Sequence, residues 1–354
     1  MPGRGGLRVP LPRYIQPDGQ WGYIIGSSHP GNGYSHNLVN WAKHPTHFEA
    51  RPVDKSLSDM NELMRAHCRA NYAETVLAGS PGFRDWKGLW GRHKDEVLVI
   101  ASCGPSLTES LPWLYANRPK FRLMTINRSH RAFQDAEARP DYHYFVERRA
   151  LPDWCFETEN QSGRPMAPLD MRGVTMIGTP QCDPRLAGLF EPDRRYWGWS
   201  SLGGLGDIGE ARALASYDVG AGTTIGNAPY IAWKLGFKRI VLVGCDFSLD
   251  CRMVGDGTGA RLESRRMYFD RMWNHTHYTC GTPEGEAEFL KRLNPMLGHD
   301  GTACMSNAVL LGWCDYFKAV LDIAQYEAGM ECVNATPRGI LDWNCKTLEE
   351  AVCG

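Results

Sequence analysis

The chain of 354 residues lacks any apolar run near the ~20 residues that span a bilayer. Its longest apolar runs, Val97–Ala101 and Ile240–Gly244, have the length of strands. The N-terminus, MPGRGGLRVPLPRYIQPDGQ, carries Arg but no apolar h-region, so it does not read as a secretory signal and the expected address is the cytoplasm. An excess of either charge is also missing. Lys plus Arg is 39 against 40 Asp plus Glu, a formal net charge of -1, which argues against a general nucleic-acid binder. There are 12 cysteines and no CxxC pair among them. Several sit in apolar segments, such as Cys245, Cys314 and Cys332, where reduced cysteines act as small core residues. A disulfide framework is not expected in such a chain. There is no GxGxxG, no Walker A loop, no internal repeat and no low-complexity tract.

What is present is globular composition, with 43% hydrophobic and 22% charged residues. The first ~50 residues are rich in Gly, Pro, His and Asn and read as loop, with a short strand at Tyr23–Ile25. From Ser56 the apolar spacing of Met60, Leu63, Met64 and Tyr72 predicts a helix with Ser58 as its N-cap. An alternating rhythm then begins. Strands are predicted at 97–101, 121–126, after Pro140, at 174–179, at 238–247 and at 330–336. Helices are predicted between them, at TESLPWLYAN, SHRAFQDAEA and 223–236. Further helices are expected at RLESRRMYFDRMWN, at EGEAEFLKRL, from Met305 to Ala328 and at KTLEEAV. Residues 180–220, rich in Gly, Trp and Pro, read as an irregular insertion. This pattern implies an α/β fold, a doubly wound and mostly parallel sheet with helices on both faces. Ligands of such sheets bind at the carboxyl ends of strands, where the strand order reverses.

Two segments carry the chemistry. In VLVIASCGPSL (97–107) a strand runs into a small-residue turn and a helix. Gly104 there would let backbone amides approach a phosphate, and Ser106 would cap the helix. A structural strand–turn–helix is an equal reading of the same residues. In AGTTIGNAPYIAWKLGFKRIVLVGCDFSL (221–249) a Gly/Thr turn opens a helix that returns to a strand ending in Asp246. A carboxylate in that position faces either a ligand or its own loop.

IASCGPSL, TINRS, PDYHYFVE, the 223–249 segment, CVNATPRG and KTLEEA occur in an order that resembles the 6-hydroxymethylpterin diphosphokinase MptE-like domain. That domain is also the core of the motility-accessory-factor glycosyltransferases, and it is similar to small bacterial sialyltransferases. The resemblance runs from about residue 83 to 352. It implies a Rossmann-like nucleotide-binding domain at 83–354, preceded by an irregular segment and helix at 1–82. By this resemblance Gly104, Pro105 and Ser106 match the phosphate-facing loop, and Asn127 the Asn beside the nucleotide's phosphate or sugar. Thr223 and Thr224 match the pair that opens the helix over the nucleotide, and Asp246 and Phe247 the GxDF element. The sialyltransferases have a Tyr after this Phe, which steadies the leaving phosphate. This chain has Ser248, with Tyr268 as a regional substitute. His299, in NPMLGHDGTACMSNAVLL, matches the Gly-His pair whose imidazole is the general base, a role suited to a group that titrates near neutrality.

The resemblance implies a transferase using a nucleotide donor. The first expectation is glycosyl transfer from a CMP-activated, sialic-type sugar to a hydroxyl of a small-molecule or glycan acceptor. The alternative is an ATP- and Mg²⁺-dependent hydroxymethyl-dihydropterin diphosphokinase, with Asp246, Asp250 and Asp256 as candidate metal ligands. A third reading is an inactive nucleotide-binding module, motivated by Ser248. His275, His277 and Cys280 fit no standard zinc spacing and read as polar loop. Arg261, Arg265 and Arg266 read as a solvated helix face. Trp197 and Trp199 would either stack on a ring or form a small core.

Overall fold

The computed structural model describes residues 13–15, 21–23, 54–80, 82–134, 138–146, 169–198, 214–215, 223–248, 251–254, 261–264, 294–306 and 308–354. Its centre is a seven-stranded sheet. The strands are β3 (Val97–Ala101), β4 (Arg122–Ile126), β5 (Tyr142–Phe145), β6 (Thr175–Gly178), β7 (Arg195–Trp197), β8 (Arg239–Val243) and β13 (Glu331–Asn334). They lie side by side as β13-β8-β3-β4-β5-β6-β7, and every neighbouring pair is parallel. The short strands β1 (Arg13–Ile15) and β2 (Trp21–Tyr23) pair antiparallel with each other, two residues before the strand expected at Tyr23.

The apolar runs form these strands because both sheet faces are covered, as all-parallel sheets require. Successive residues of β3 point to opposite sides, and the packing follows that alternation. Leu98 and Ile100 join Ile240 and Leu242 under helices α5 (Thr224–Leu235) and α6 (Ala308–Asp322). Val99 and Ala101 join Val241, Val243 and Val333 under α2 (Leu107–Ala116), α3 (His130–Gln134) and α7 (Leu348–Cys353). A third cluster, with Phe145, Met176, Phe190 and Trp197, closes the β7 edge. The long helix α1 (Asp54–Leu77) docks there too, where its Asn71 amide donates to the Pro180 and Cys182 carbonyls, each at 2.9 Å.

Several expectations change. Helix α1 starts at Asp54, so Ser58 lies inside it and not at its cap. The 180–220 insertion supplies α4 (Pro184–Ala187) and the edge strand β7. Residues Arg261–Ser264, expected in a helix, form β10 and pair antiparallel with β9 (Cys251–Val254). The segment after 293 opens with a hairpin, β11 (Asn294–Leu297) and β12 (Ala303–Ser306), before α6 begins. Strands of three or four residues carry no readable period. The helix expected at EGEAEFLKRL lies outside the described residues. Cys245, Cys314 and Cys332 are buried free thiols, as their apolar surroundings imply. Among the described residues no helix is long and apolar enough to cross a membrane.

Candidate active site at the strand-order reversal

The chain lays β4 to β7 on one side of β3 and β8 and β13 on the other, so the order reverses between β3 and β8. The turn 102–106 leaves β3 there and the turn 244–248 leaves β8. They are locked together backbone to backbone. The Ser102 amide donates to the Val243 carbonyl (2.9 Å) and the Gly104 amide to the Gly244 carbonyl (2.8 Å). A Cβ on Gly104 would lie 2.0 Å from Asp246 Oδ2 and 2.5 Å from the Gly244 oxygen. Position 104 is therefore glycine because two loops meet there.

Asp246 is the pin of this junction. It is 2% exposed, and Ser106 grips both of its oxygens: the amide donates to Oδ1 (3.2 Å) and the hydroxyl to Oδ2 (2.8 Å). Burial raises its carboxyl to about 7, against the Ser106 bonds and the nearby Arg338 charge, which favour ionisation. Of the two readings of the loop, these bonds belong to the structural turn. The amides of Ser102, Gly104, Ser106 and Leu107 all bond within the protein, the last to the Gly104 carbonyl (3.1 Å). They form a joint rather than a ready anion cradle, and Ser106 is bonded to Asp246 in place of capping α2. Pro105, half-buried, has no amide to offer. Asp246 likewise does not fit a Mg²⁺ ligand, because both oxygens are turned inward. Asp250 and Asp256 lie outside the described residues.

On the β4 side the expectations meet in one contact. Asn127 follows β4 with φ of 48°, and its Nδ2 donates to Thr224 Oγ1 at 2.9 Å. Its Oδ1 is buried without a hydrogen-bond partner among the described residues. Thr223 caps α5, its hydroxyl accepting from the Gly226 amide at 3.2 Å. Phe247 also takes φ of 48°. Its carbonyl accepts from Ser306 Oγ (2.9 Å) and its ring packs on Phe317, with centroids 5.6 Å apart. Positive φ at non-glycine residues is a strained choice that clusters at functional sites. Ser248, where the resembling enzymes have Tyr, is buried.

His299 reaches the same rim from the β13 side. It lies in the turn of the β11–β12 hairpin, half-buried, and its amide donates to the Gly339 carbonyl (2.8 Å). Its Nε2 lies 3.1 Å from the Thr336 carbonyl, which can only accept, so that nitrogen carries the proton. Thr336 and Gly339 belong to a strap, 335–340, that leaves β13 and crosses Asp246. The Ile340 amide donates to the Asp246 carbonyl (2.8 Å), and a Cβ on Gly339 would sit 2.6 Å from Asp246 Cα. One aspartate thus touches both the loop expected to face phosphate and the strap to which the histidine is hydrogen-bonded. The sequence reading missed Arg338 on this strap, which pairs with Glu109 of α2 at 2.5 Å. The signal available was TPRG directly after the last strand.

Other candidates separate from the site. Trp197 is 1% exposed and packs on Phe83, so it is core and not a sugar platform. Arg261 lies in β10, not on a helix. Trp199, Arg265, Arg266, Tyr268, His275, His277 and Cys280 lie outside the described residues. Among the described residues no cluster of three or more His, Cys, Asp or Glu is arranged to hold a metal.

Residues 77–251 match the family model described as 6-hydroxymethylpterin diphosphokinase MptE-like. No curated protein matches the chain. Among solved structures, the MAf glycosyltransferase from Magnetospirillum magneticum AMB-1 is similar, with a TM-score of 0.53 at 18% identity, over 82% of this chain. The match covers 38% of that protein's chain, so this chain spans well under half of it. At that identity the likeness concerns the fold, a parallel sheet flanked by helices. The matched residues hold the GPSL turn, Asn127, Thr224 and the Asp246 pin, so the site lies within the part of the chain that is similar to the MptE-like family.

Proposed function

We propose that the protein is a nucleotide-dependent transferase, and that it passes a glycosyl group from a CMP-activated, sialic-type sugar to a hydroxyl acceptor. The observation that supports this most is the placement of Asn127–Thr224 and His299 on opposite sides of the Asp246 junction, along one rim of the sheet. The nucleotide would lie by the 102–106 turn, beside Asn127 and under the start of α5. The acceptor would lie toward His299. With Nε2 protonated toward Thr336, the lone pair of His299 sits on Nδ1. Nδ1 takes the proton of the acceptor hydroxyl as its oxygen bonds to the anomeric carbon. The bond to CMP breaks, and CMP leaves with the electron pair.

The family description favours a second reading, ATP-dependent diphosphate transfer to a hydroxymethyl-dihydropterin. That chemistry needs carboxylates for Mg²⁺. Asp246 does not present itself to one.

A thermal-shift panel across CMP, CDP, ATP and GTP, with and without Mg²⁺, separates these readings, because a ligand stabilises by RT ln(1 + [L]/Kd). Stabilisation by cytidine nucleotides without metal is the expected result. Stabilisation by ATP only with Mg²⁺ would move the assignment to the diphosphokinase. Indifference to every nucleotide would sink both. Stabilisation with no transfer to any acceptor would leave the inactive module.

A further inference from the structure

The inference here rests on the nucleotide reading of the site and concerns where the phosphate charge is met. The amides of Ser102, Gly104 and Ser106 are engaged between loops, so those three do not supply that complement. A side chain can. The strap 335–340 brings one from the far side of the sheet. Gly339, with φ of 109°, lets the strap lie directly on the Asp246 backbone, and this sets Arg338 over the start of α2. The guanidinium pairs with Glu109, whose own amide donates to the Ser106 carbonyl at 3.0 Å. It therefore stands one turn of helix from Ser106, and its charge is felt by Asp246 in the joint below. The Arg338 side chain is 22% exposed and Glu109 is 49% exposed.

We propose that Arg338 receives the phosphate of the bound nucleotide, with Glu109 holding the guanidinium in place until the ligand arrives. The planar fork of an arginine takes carboxylate and phosphate in the same geometry, so one can replace the other without moving the side chain. Glu109, half in solvent, can release its hold and be hydrated. The positive end of α2 lies beside the same spot and favours the same charge. Arg338 is thus a positioning residue that selects phosphate-bearing ligands over the corresponding nucleosides.

The test is calorimetric titration of the full chain with CMP and ATP, and with cytidine and adenosine as phosphate-free probes. Arg338→Gln is expected to weaken binding of the better nucleotide tenfold or more and to leave nucleoside binding unchanged. Glu109→Gln keeps the cation and removes the charge of the carboxylate paired with it, so nucleotide affinity is expected to stay equal or rise. Should Arg338→Gln fail to fold, Arg338→Lys is read instead, with a smaller loss expected because the fork is gone. Nucleotide affinity within twofold of wild type in the Arg338 variant would overturn the inference and leave the proposed function standing. So would an equal loss in Glu109→Gln, which would mean that the pair only anchors the strap. A wild-type protein that binds no nucleotide would overturn both.

Discussion

At the scale of single residues, position 104 is the most constrained at the site. Gly104→Val would drive a branched side chain into Asp246 and the Gly244 carbonyl. Overpacking of this kind costs about 1–3 kcal/mol, and the Ser106–Asp246 bonds would have to shift as well. Equilibrium urea unfolding is expected to show that loss, together with loss of nucleotide stabilisation. A variant as stable as wild type would mean that the two turns are not joined as described. His299 makes the opposite prediction. Its ring bonds the strap through the Thr336 carbonyl alone among the described hydrogen bonds, so His299→Ala is expected to keep fold and nucleotide affinity. Turnover should fall by roughly two to four orders of magnitude, the usual share of a positioned base. Full activity in that variant would end the mechanism drawn here. Asn127, Thr224, Asp246 and His299 are all legible in the sequence through one resemblance. The direction each side chain faces is not. A carboxylate at a strand's end reads equally as a ligand or as a pin, and only the Ser106 bonds decide. Arg338 stayed hidden because an arginine in a loop is the commonest of surface residues until its partner is known.

At the scale of elements, β5 and α3 share a buried imidazole pair. His143 accepts or donates at Thr125 Oγ1 (2.9 Å), and its ring lies 5.4 Å from that of His130, edge to face. Burial pushes His130 down to about 4 and His143 well below its ordinary value. Both are therefore neutral in the fold while an unfolded imidazole protonates below about 6.5. Stability from this pair is complete above that pH and is lost as pH falls from 6.5 toward 4. At pH 5 the loss from His130 is roughly 2 kcal/mol, and His143 adds to it in the same direction. Denaturation midpoints at pH 7 and pH 5 should converge in a His130→Gln/His143→Gln variant and separate in the wild type. Equal pH dependence in the two proteins would refute the assignment. The apolar strands β3, β4 and β8 are readable because burial on both faces favours Val, Ile and Leu. The edge strand β7 is only RYW, and it becomes a strand through its pairing with β6. β10, RLES, carries the residues of a helix and is a strand through its pairing with β9. Tertiary partners outweigh local preference in such short pieces.

At the scale of the whole molecule, the family match ends at 251 while the sheet does not. β13 covers the open edge of β8, and α6 and α7 cover one face each. A polypeptide limited to residues 77–251 would expose that edge and both apolar faces. It is expected to aggregate or to unfold without a cooperative transition in circular dichroism, whereas the full chain unfolds cooperatively. A cooperative fold from 77–251 alone would show that the C-terminal elements are accessories.

The strap on Asp246 adds a matter of timing. Glu109 and Arg338 are separated by about 230 positions, and the ribosome makes the first long before the second. Strands β3 to β8 can assemble on the growing chain, but the rim around Asp246 waits for β13 and the six residues behind it. A nascent chain therefore holds a nearly complete sheet with no working rim. On the function proposed above, it would engage a nucleotide only after residue 340 has been made.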